Sequence, residues 1–271
     1  MEKYDIFIQA GQSNAEGNGF GEIDIPYEKD ERVLHLTFAR KLRMTETELF
    51  IDYIDEPFTI KVADERTDSK GNKVSDFSLS FAKKYINAGL LKQDRKILVI
   101  RAAIGGTGFA RGHWKIGDSL YEKMISMIDY ALSLNPENQL KGFLWHQGEM
   151  DVMMNTPAKE YYDNFKAMFQ SVKQRYNIYN LPIVSAGFSP VWFANNKDNC
   201  LPIFNEIKRV IQEENGAFVD TTGLETNSQA LNNDDILHFS RRALYDLGDR
   251  YFEAYKSIVT NETYCNDIKR N

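Results

Sequence analysis

A serine between two glycines stands at the end of the first apolar stretch of the chain. Residues 4–10 are largely apolar and strand-like, and the segment GQSNAEG follows directly at positions 11–17. Gly11 permits a tight turn, and a short helix that begins after Ser13 would aim backbone N–H groups at an incoming oxyanion. The carboxyl end of a strand is where a nucleophilic serine would be placed, yet this segment taken alone favours a polar turn that caps a helix.

Asp235 and His238 supply the groups that a serine nucleophile lacks. A serine hydroxyl is a weak nucleophile until a base accepts its proton, and that base must be oriented by a third group. An aspartate and a histidine three residues apart can do this locally, with the carboxylate accepting from Nδ1–H while Nε2 faces Ser13. The chain has only four histidines, at positions 35, 113, 146 and 238. The alternative for this segment is a capping loop in which Ser240 begins the last helix.

Two further polar segments follow predicted strands and offer hydrogen-bond donors. AIGGTG occupies positions 103–108, and WHQGE occupies positions 145–149. An acyl-transfer site needs donors for the tetrahedral oxyanion: Gly105 or Gly106 can give a backbone N–H, and Gln147 can give a side-chain amide. The glycines lack the spacing of a dinucleotide-binding loop, and WHQGE lacks the HExxH arrangement of a zinc site. We therefore expect no cofactor and no metal.

The elements that must position these residues alternate between strand and helix. Patterns typical of buried strands, rich in Ile, Val and Phe, occur at 4–10, 97–102, 142–145, 182–186 and 217–220. Helical spacing predicts helices over 77–88, 119–134, 157–176, 201–214 and 240–258. This alternation predicts an α/β fold with a five-stranded parallel sheet that is covered on both faces. In such sheets the functional crevice lies beyond the carboxyl ends of the strands.

Residues 31–63 interrupt the alternation. Their short strand-like pieces predict a small β excursion after the first strand, at Val33–Phe38, Leu49–Ile54 and Phe58–Val62. No internal repeat and no Pro/Gly-rich linker is visible in the sequence. Residues 1–271 are therefore predicted to form a single domain.

Composition argues against several classes of protein. Hydrophobic residues make up 42% of the chain and charged residues 27%, as in an ordinary globular protein. The net charge of −6 argues against a nucleic-acid binder, whose affinity depends on neutralising phosphates. No apolar run approaches the ~20 residues of a membrane-spanning helix, so no membrane partner is expected. The N-terminus does not have the pattern of a signal peptide, although a trimmed secreted or periplasmic protein would look the same.

The four polar segments, taken in order, resemble those of the SGNH hydrolase superfamily. Within it they are most similar to the group of sialate O-acetylesterases and acetylxylan esterases, carbohydrate esterase family 6. The matching segments are GQSNAEG, AIGGTG, WHQGE and DILH, which together span residues 11–238. The resemblance implies a three-layer flavodoxin-like fold, a triad of Ser13, His238 and Asp235, and an acetylated carbohydrate as the substrate.

The resemblance also implies an oxyanion hole. It would consist of the Ser13 N–H, a glycine N–H from the 105–106 pair and a polar side chain. In the wider superfamily that side chain belongs to an asparagine, whereas the matching position in this group is a glutamine, here Gln147.

Other roles in the site have more than one interpretation. Some members of the family use the glutamate of the WHQGE segment to orient the histidine, so Glu149 is an alternative to Asp235. The second interpretation of Glu149 is a buried ion pair that holds its loop. Asn14, Arg111 and Trp114 lie in or next to the matching segments and are candidate substrate-binding residues, with Trp114 as a platform for a sugar ring.

The expected function is hydrolysis of acetyl esters on sugars or polysaccharides through an acetyl-enzyme on Ser13, which makes the protein a serine carboxylic-ester hydrolase. A general α/β-type serine esterase shares the chain order Ser–Asp–His, but it requires a GxSxG elbow, and position 15 is alanine. A non-catalytic carbohydrate-binding module of the same fold would have no reason to keep all three triad residues.

Overall fold

A seven-stranded sheet forms the centre of the computed structural model, which describes residues 2–24, 27–44, 49–53, 58–68 and 70–268. The strands in these ranges are β1 (Lys3–Gly11), β2 (Val33–Thr37), β3 (Arg40–Met44), β4 (Leu49–Tyr53), β5 (Thr59–Val62), β6 (Arg66–Thr67), β7 (Lys73–Val74), β8 (Arg95–Arg101), β9 (Gln139–His146), β10 (Ile183–Ala186) and β11 (Ala217–Val219). The order of strands in the central sheet is β11-β10-β9-β1-β8-β2-β5. The pairs β3–β4 and β6–β7 form two small antiparallel sheets.

The central sheet contains all five predicted parallel strands, but the predicted number of strands is wrong. β1 lies in the middle and pairs in parallel with β8 and β9. Two strands of the β excursion extend the sheet: β2 runs parallel to β8, and β5 runs antiparallel to β2 at the edge. β2 joins because Leu34 and Leu36 are buried in the same core as β8, whereas β5 alternates between half-buried and exposed side chains, as an edge strand does. The predicted end of one excursion strand at Ile54 lies outside the described residues.

The described helices include all five that were predicted. They are α1 (Ser13–Glu16), α2 (Ser78–Asn87), α3 (Ser119–Ser133), α4 (Glu149–Met153), α5 (Ala158–Arg175), α6 (Pro190–Asn195), α7 (Lys197–Glu213), α8 (Asn227–Leu231) and α9 (Arg241–Ile268). The unpredicted helices α4, α6 and α8 have only five or six residues each, too few for a periodic pattern to be visible. No helix in the described ranges is both long enough and apolar enough to cross a bilayer.

Helices cover both faces of the sheet and give three layers. Successive side chains of β1 point to opposite faces. Ile8 packs in the core that includes Phe165 of α5, and Phe7 packs in the core of α2 and α9. The Phe7 ring meets the rings of Phe81 and Tyr255 edge-on, with centroids 4.9 and 5.4 Å apart. Full burial of one such side chain contributes about 1.5–3 kcal/mol, so two-sided burial strongly stabilises this register. The predicted three-layer α/β class is confirmed.

Candidate active site

Ser13 begins a short helix at the carboxyl end of the central strand. β1 ends at Gly11, which adopts φ +135° and pairs with His146 at the end of β9. A Cβ on Gly11 would lie 2.0 Å from the carbonyl oxygen of His146, so only glycine permits this approach. The Gln12 N–H donates to the same oxygen at 3.0 Å. As the first residue of a helix, Ser13 has a backbone N–H with no acceptor among the described residues.

The structure brings Ser13, His238 and Asp235 together, with the imidazole between the hydroxyl and the carboxylate. His238 Nε2 lies 2.9 Å from Ser13 Oγ. On the other side of the ring, His238 Nδ1 lies 2.9 Å from Oδ2 and 3.0 Å from Oδ1 of Asp235. These are hydrogen-bond distances, and an imidazole between a hydroxyl and a carboxylate is arranged for general-base activation of the hydroxyl.

The surroundings of the Asp235 carboxylate keep it ionised. Burial raises its pKa, but hydrogen bonds from His238 and Asn227 outweigh burial and lower the pKa to about 2. Asn227 Nδ2 donates to Oδ2 at 2.9 Å, and the His238 N–H donates to Oδ1 at 3.1 Å. A carboxylate that stays negative beside Nδ1 favours the tautomer in which Nε2 is free to accept a proton.

The loop that carries Asp235 and His238 is closed by main-chain contacts between its two ends. A β-bridge joins Thr226 to Phe239, and the Asn227 N–H donates to the carbonyl oxygen of His238 at 2.9 Å. Ser240 comes next, and its hydroxyl oxygen accepts a hydrogen bond from the first turn of α9. The capping role of Ser240 and the position of His238 beside the serine therefore occur together rather than as alternatives.

Asn14 connects this loop to the serine turn. It is fully buried, and its Nδ2 donates to Glu149 Oε1 at 2.8 Å and to the Leu237 carbonyl oxygen at 3.3 Å. Its Oδ1 accepts from the Phe239 N–H at 3.1 Å. The prediction that Asn14 binds substrate is wrong, because its amide is used entirely within the protein and no part of it reaches the surface.

Glu149 is buried next to Asn14 and makes no hydrogen bond to His238. Its Oε1 lies 3.7 Å from Nε2 of His146. Burial raises the pKa of Glu149 and lowers the pKa of His146 to about 3. Burial therefore opposes the charged form of both groups, and the ion-pair interpretation of Glu149 stays a prediction. Asp235 is the carboxylate that contacts the imidazole of His238.

Gly105 and Gly106 differ in whether their N–H groups are occupied. The Gly105 N–H donates to Glu16 Oε2 at 2.7 Å, so this alternative of the predicted pair is already hydrogen-bonded within the protein. Gly106 adopts φ +75°, and its N–H has no acceptor in the part of the chain that the structure describes. A Cβ on Gly105 would lie 3.3 Å from Ser13 Cβ, which places this loop directly against the serine.

The Gln147 amide lies in a buried hydrogen-bond network beside the loop. Its Nε2 is 2.6 Å from Asp151 Oδ2, 3.3 Å from Gln12 Oε1 and 3.4 Å from the Thr107 carbonyl oxygen. The first contact is strong, and the other two are long for N–H···O bonds. Donation to an oxyanion would use the weakly held N–H, so this role of Gln147 stays a prediction.

Comparison with known proteins assigns the chain to a family. A family model described as carbohydrate esterase, sialic acid-specific acetylesterase, matches residues 3–257. The chain belongs to this family. A curated relative named "Probable carbohydrate esterase", from Arabidopsis thaliana, is 26% identical over 168 residues. The match covers 62% of this chain and spans 58% of the length of that relative.

Solved structures share the fold of this member of the carbohydrate esterase family. NanS superposes with a TM-score of 0.73 at 19% identity, over 96% of this chain and 98% of NanS. A structure from Arabidopsis thaliana gives 0.64 at 22% identity, over 95% and 99% of the two chains. A carbohydrate acetylesterase from Xanthomonas citri gives 0.62 at 17% identity, over 95% of this chain and 56% of the other. The fold is thus the SGNH-type fold that the motifs predicted.

The two remaining candidate substrate residues of this family member have different surroundings. Trp114 is fully buried; its Nε1 donates to Thr107 Oγ1 at 3.0 Å, and its ring meets Trp145 edge-on at 5.2 Å. The prediction of Trp114 as a sugar platform is therefore wrong. Arg111 is half-buried, and its Nη1 lies 3.5 Å from the Gly106 carbonyl oxygen. No described carboxylate forms an ion pair with Arg111, and its Nε is buried without a partner.

The other histidines of the chain lie elsewhere in the core. His35 is buried in β2, and burial lowers its pKa to about 3. His113 is buried, and its Nδ1 accepts from the Gly108 N–H at 3.4 Å. Within the described ranges, no group of three or more His, Cys, Asp or Glu side chains is arranged to share a metal ion.

Sequence reasoning missed three polar residues beside the site: Glu16, Asp151 and Asn227. Asp151 follows Gln147 by four residues, but Gln147 precedes the first residue of α4, so helical spacing does not predict their contact. Asn227 follows the first residue of a T-x-x-Q capping box, which predicts the start of α8 but not the contact with Asp235. Glu16 has no local signal, because its partners come from distant parts of the chain.

Proposed function

We propose that this chain hydrolyses O-acetyl esters on carbohydrates through an acetyl-enzyme on Ser13. The observation that carries the proposal is the alignment of Ser13 Oγ, the His238 imidazole and the Asp235 carboxylate through contacts of 2.9 Å at the end of the central strand. Membership in the carbohydrate esterase family supports the choice of an acetylated sugar as the ester.

Acylation uses the groups assembled at the serine. His238 Nε2 accepts the proton of Ser13 Oγ as that oxygen attacks the ester carbonyl, and Asp235 stabilises the imidazolium. The oxyanion accepts from the N–H groups of Ser13 and Gly106, with Gln147 as a further donor. Collapse of the tetrahedral intermediate breaks the bond between the carbonyl carbon and the sugar oxygen. That oxygen takes the proton from His238 and leaves as the free hydroxyl.

Deacylation repeats the sequence with water. His238 takes a proton from a water molecule as the water oxygen attacks the carbonyl of acetyl-Ser13. The same donors hold the second oxyanion, and the bond between the carbonyl carbon and Ser13 Oγ then breaks. The proton on His238 returns to Ser13 Oγ, so one ester and one water give one sugar hydroxyl and one acetic acid.

Within this function, we favour a sugar that carries a carboxylate, as sialic acid does. The description of the family names sialic acid. Arg111 places a guanidinium beside Gly106 without an ion-pair partner among the described residues, and a substrate carboxylate would supply that partner. Acetylated xylan is the second candidate, since the motifs of the site resemble acetylxylan esterases as well.

Replacement of the serine and the base tests the mechanism. Ser13→Ala and His238→Ala should each lower kcat for a chromogenic acetate ester on the order of 10⁴- to 10⁶-fold. Ser185→Ala is a matched control, because Ser185 is a fully buried serine on β10 whose Oγ has no hydrogen-bond partner among the described residues. Mass spectrometry after a rapid acid quench should find one acetyl group on the peptide that contains Ser13. Wild-type rates in both variants would overturn the proposal.

Acetate release from natural esters tests the substrate. A pH-stat assay would compare acetylated sialic acid with acetylated xylan, and faster release from sialic acid is expected. Glycan binding without acetate release from any ester would instead favour a non-catalytic carbohydrate-binding module.

A further inference from the structure

Two carboxylates outside the triad hold the loop that carries Gly106. At one end of this loop, Glu16 Oε2 accepts from the Gly105 N–H at 2.7 Å. At the other end, Asp151 accepts from the N–H groups of Phe109 and Ala110 at 3.1 and 2.9 Å. Gly106 lies between these anchored residues with its own N–H unbonded in the described chain.

Asp151 uses both of its oxygens fully. Oδ2 accepts from Gln147 Nε2 at 2.6 Å as well as from Phe109, and Oδ1 accepts from Thr156 Oγ1 at 3.0 Å as well as from Ala110. The residue is fully buried. A Cβ on Gly108 would lie 2.6 Å from Oδ2, so the loop can rest on the carboxylate only because position 108 is glycine.

Glu16 is held by two cations, one from β3 and one from β6. Its Oε1 pairs with Arg40 of β3 and lies 3.5 Å from Nη1 of Arg66 of β6. These two guanidinium groups orient the carboxylate and leave Oε2 for Gly105. They also offset a negative charge that would otherwise disfavour a developing oxyanion beside Ser13.

We propose that Glu16 and Asp151 are positioning residues that keep the Gly106 N–H available to the oxyanion beside Ser13. The inference rests on the proposed esterase function, and neither carboxylate contacts the reacting atoms. Acylation and deacylation both depend on this geometry, because a donor contributes to the rate only when it meets the oxyanion at hydrogen-bond distance.

Asp151→Asn tests one end of the loop. The amide keeps the size of the side chain but replaces one oxygen with a donor, so at least one loop N–H loses its acceptor. We expect kcat to fall about 100-fold, the loss typical of a displacement of about 1 Å, with KM nearly unchanged. The affinity for phenyl trifluoromethyl ketone, which adds reversibly to an active-site serine to give a tetrahedral oxyanion, should fall by the same factor.

Asp5→Asn is the matched control for Asp151→Asn. Asp5 is a buried carboxylate near the amino end of β1, whereas the site lies at the carboxyl end, and it accepts from Tyr85 Oη at 2.8 Å and Arg95 Nε at 2.5 Å. Its replacement should lower stability without a change in kcat or in ketone affinity. Equal losses of kcat in the two variants would overturn the inference, because they would indicate a general structural effect.

Substitutions at Glu16 test the other end of the loop that carries Gly106. They also test the positioning role if Asp151→Asn fails to fold. Glu16→Gln keeps an oxygen for the Gly105 N–H, and the partly exposed Arg40 and Arg66 can turn toward water. It should retain kcat within about 10-fold, whereas Glu16→Ala should lose about 100-fold. Equal rates in Gln and Ala variants would overturn the role of Glu16 as an acceptor for Gly105.

Failure of this inference is distinguishable from failure of the proposed function. If Ser13→Ala keeps wild-type activity, the esterase mechanism itself is wrong. If Ser13 is required while Asp151→Asn and Glu16→Ala keep wild-type kcat and ketone affinity, the mechanism stands and only the positioning role is wrong.

Discussion

Asn227 Nδ2 donates to Asp235 Oδ2 at 2.9 Å and to the carbonyl oxygen of Asn18 at the same distance. Its Oδ1 accepts from the Phe20 N–H at 2.8 Å, and the residue is 1% exposed. One buried amide therefore links Asp235, the acid of the proposed triad, to the segment that follows α1. It restrains the oxygen of Asp235 that lies closest to His238 Nδ1.

Replacement of Asn227 should slow catalysis as well as lower stability. Asn227→Ala removes one of the hydrogen bonds to Asp235 and takes the side-chain partner from the half-buried Phe20 N–H, which costs about 1–3 kcal/mol in the free energy of unfolding. We expect kcat to fall about 10-fold or more, as for other outer hydrogen-bond partners of functional groups. Urea denaturation and steady-state kinetics measure the two effects separately.

Asn138→Ala is the matched control for this effect. Asn138 is also buried, accepts from the Tyr4 N–H at 2.7 Å and donates to the Ala131 carbonyl oxygen at 2.8 Å. It directly precedes β9 and therefore lies at the amino ends of the strands, away from the site. A fall in kcat as large as that of Asn227→Ala would contradict a specific role for Asn227.

A comparison of Asp235→Asn with Glu149→Gln identifies the carboxylate that orients the base. Asp235 contacts His238 Nδ1, whereas Glu149 hydrogen-bonds to Asn14. Asp235→Asn should lower kcat about 10⁴-fold, because the amide no longer favours the tautomer that accepts the serine proton. Glu149→Gln should keep kcat within a few-fold of wild type. The reverse order of losses would assign the orienting role to Glu149.

The stability of Glu149→Gln relative to wild type should depend on pH. Burial raises the pKa of Glu149 above the ordinary 4.5, so the native state holds a proton that the unfolded chain releases above that pH. The contribution of Glu149 to the free energy of unfolding of the wild type therefore falls as pH rises from about 4.5 through the native pKa. The variant has no carboxyl group to titrate at this position. Its free energy of unfolding should therefore rise relative to that of the wild type by up to about 1.4 kcal/mol per pH unit in that window. Urea titrations at several pH values measure the difference, and a constant difference would contradict the prediction.

Arg111→Gln should separate acidic from neutral substrates. Loss of a charge-assisted hydrogen bond to a substrate carboxylate costs about 1.5–3 kcal/mol, which corresponds to a rise in KM of about 10- to 100-fold for acetylated sialic acid. A neutral chromogenic acetate should keep its KM. Arg250→Gln is the control, because Arg250 donates to the carbonyl oxygens of Asp220 and Thr222 at 2.7 and 3.0 Å. An unchanged KM for the acidic sugar in Arg111→Gln would exclude this contact.

Trp114→Phe should change stability rather than substrate binding. Phenylalanine leaves a partial void and removes the hydrogen bond to Thr107 Oγ1, so the free energy of unfolding should fall by about 1–3 kcal/mol. The KM for acetylated sugars should stay the same, since the ring is fully buried. A tenfold rise in KM at unchanged stability would restore Trp114 as a sugar platform.

The five predicted parallel strands could be found because each is an apolar run between helical patterns. The place of β2 could not, because Val33 pairs with Ile97, far away in the chain. Local periodicity carries no information about which strand is the partner. The same limit applies to β5, whose alternation is typical of any edge strand.

In the candidate site, the proximity of Ser13, Asp235 and His238 could be predicted because their residue types imply one chemistry and their motifs occur in a familiar order. The surroundings of Trp114 could not, since an aromatic side chain suits a core as well as a sugar. The occupied N–H of Gly105 depends on Glu16, 89 residues away in the sequence. Such contacts exist only after the carboxyl ends of the strands meet.

Closure of the loop between Thr226 and Phe239 restrains Asp235 and His238 relative to each other. Hydrogen bonds inside that loop hold Asp235 against His238, whereas Ser13 belongs to a separate turn. The distance between His238 Nε2 and Ser13 Oγ, which is 2.9 Å, depends on how the loop and the turn sit against each other. Asn14 joins the two through its hydrogen bond from the Phe239 N–H. Substitutions that shift the Ser13 turn relative to this loop would therefore change the distance between Nε2 and Oγ. Activity would then fall while His238 and Asp235 stayed in contact.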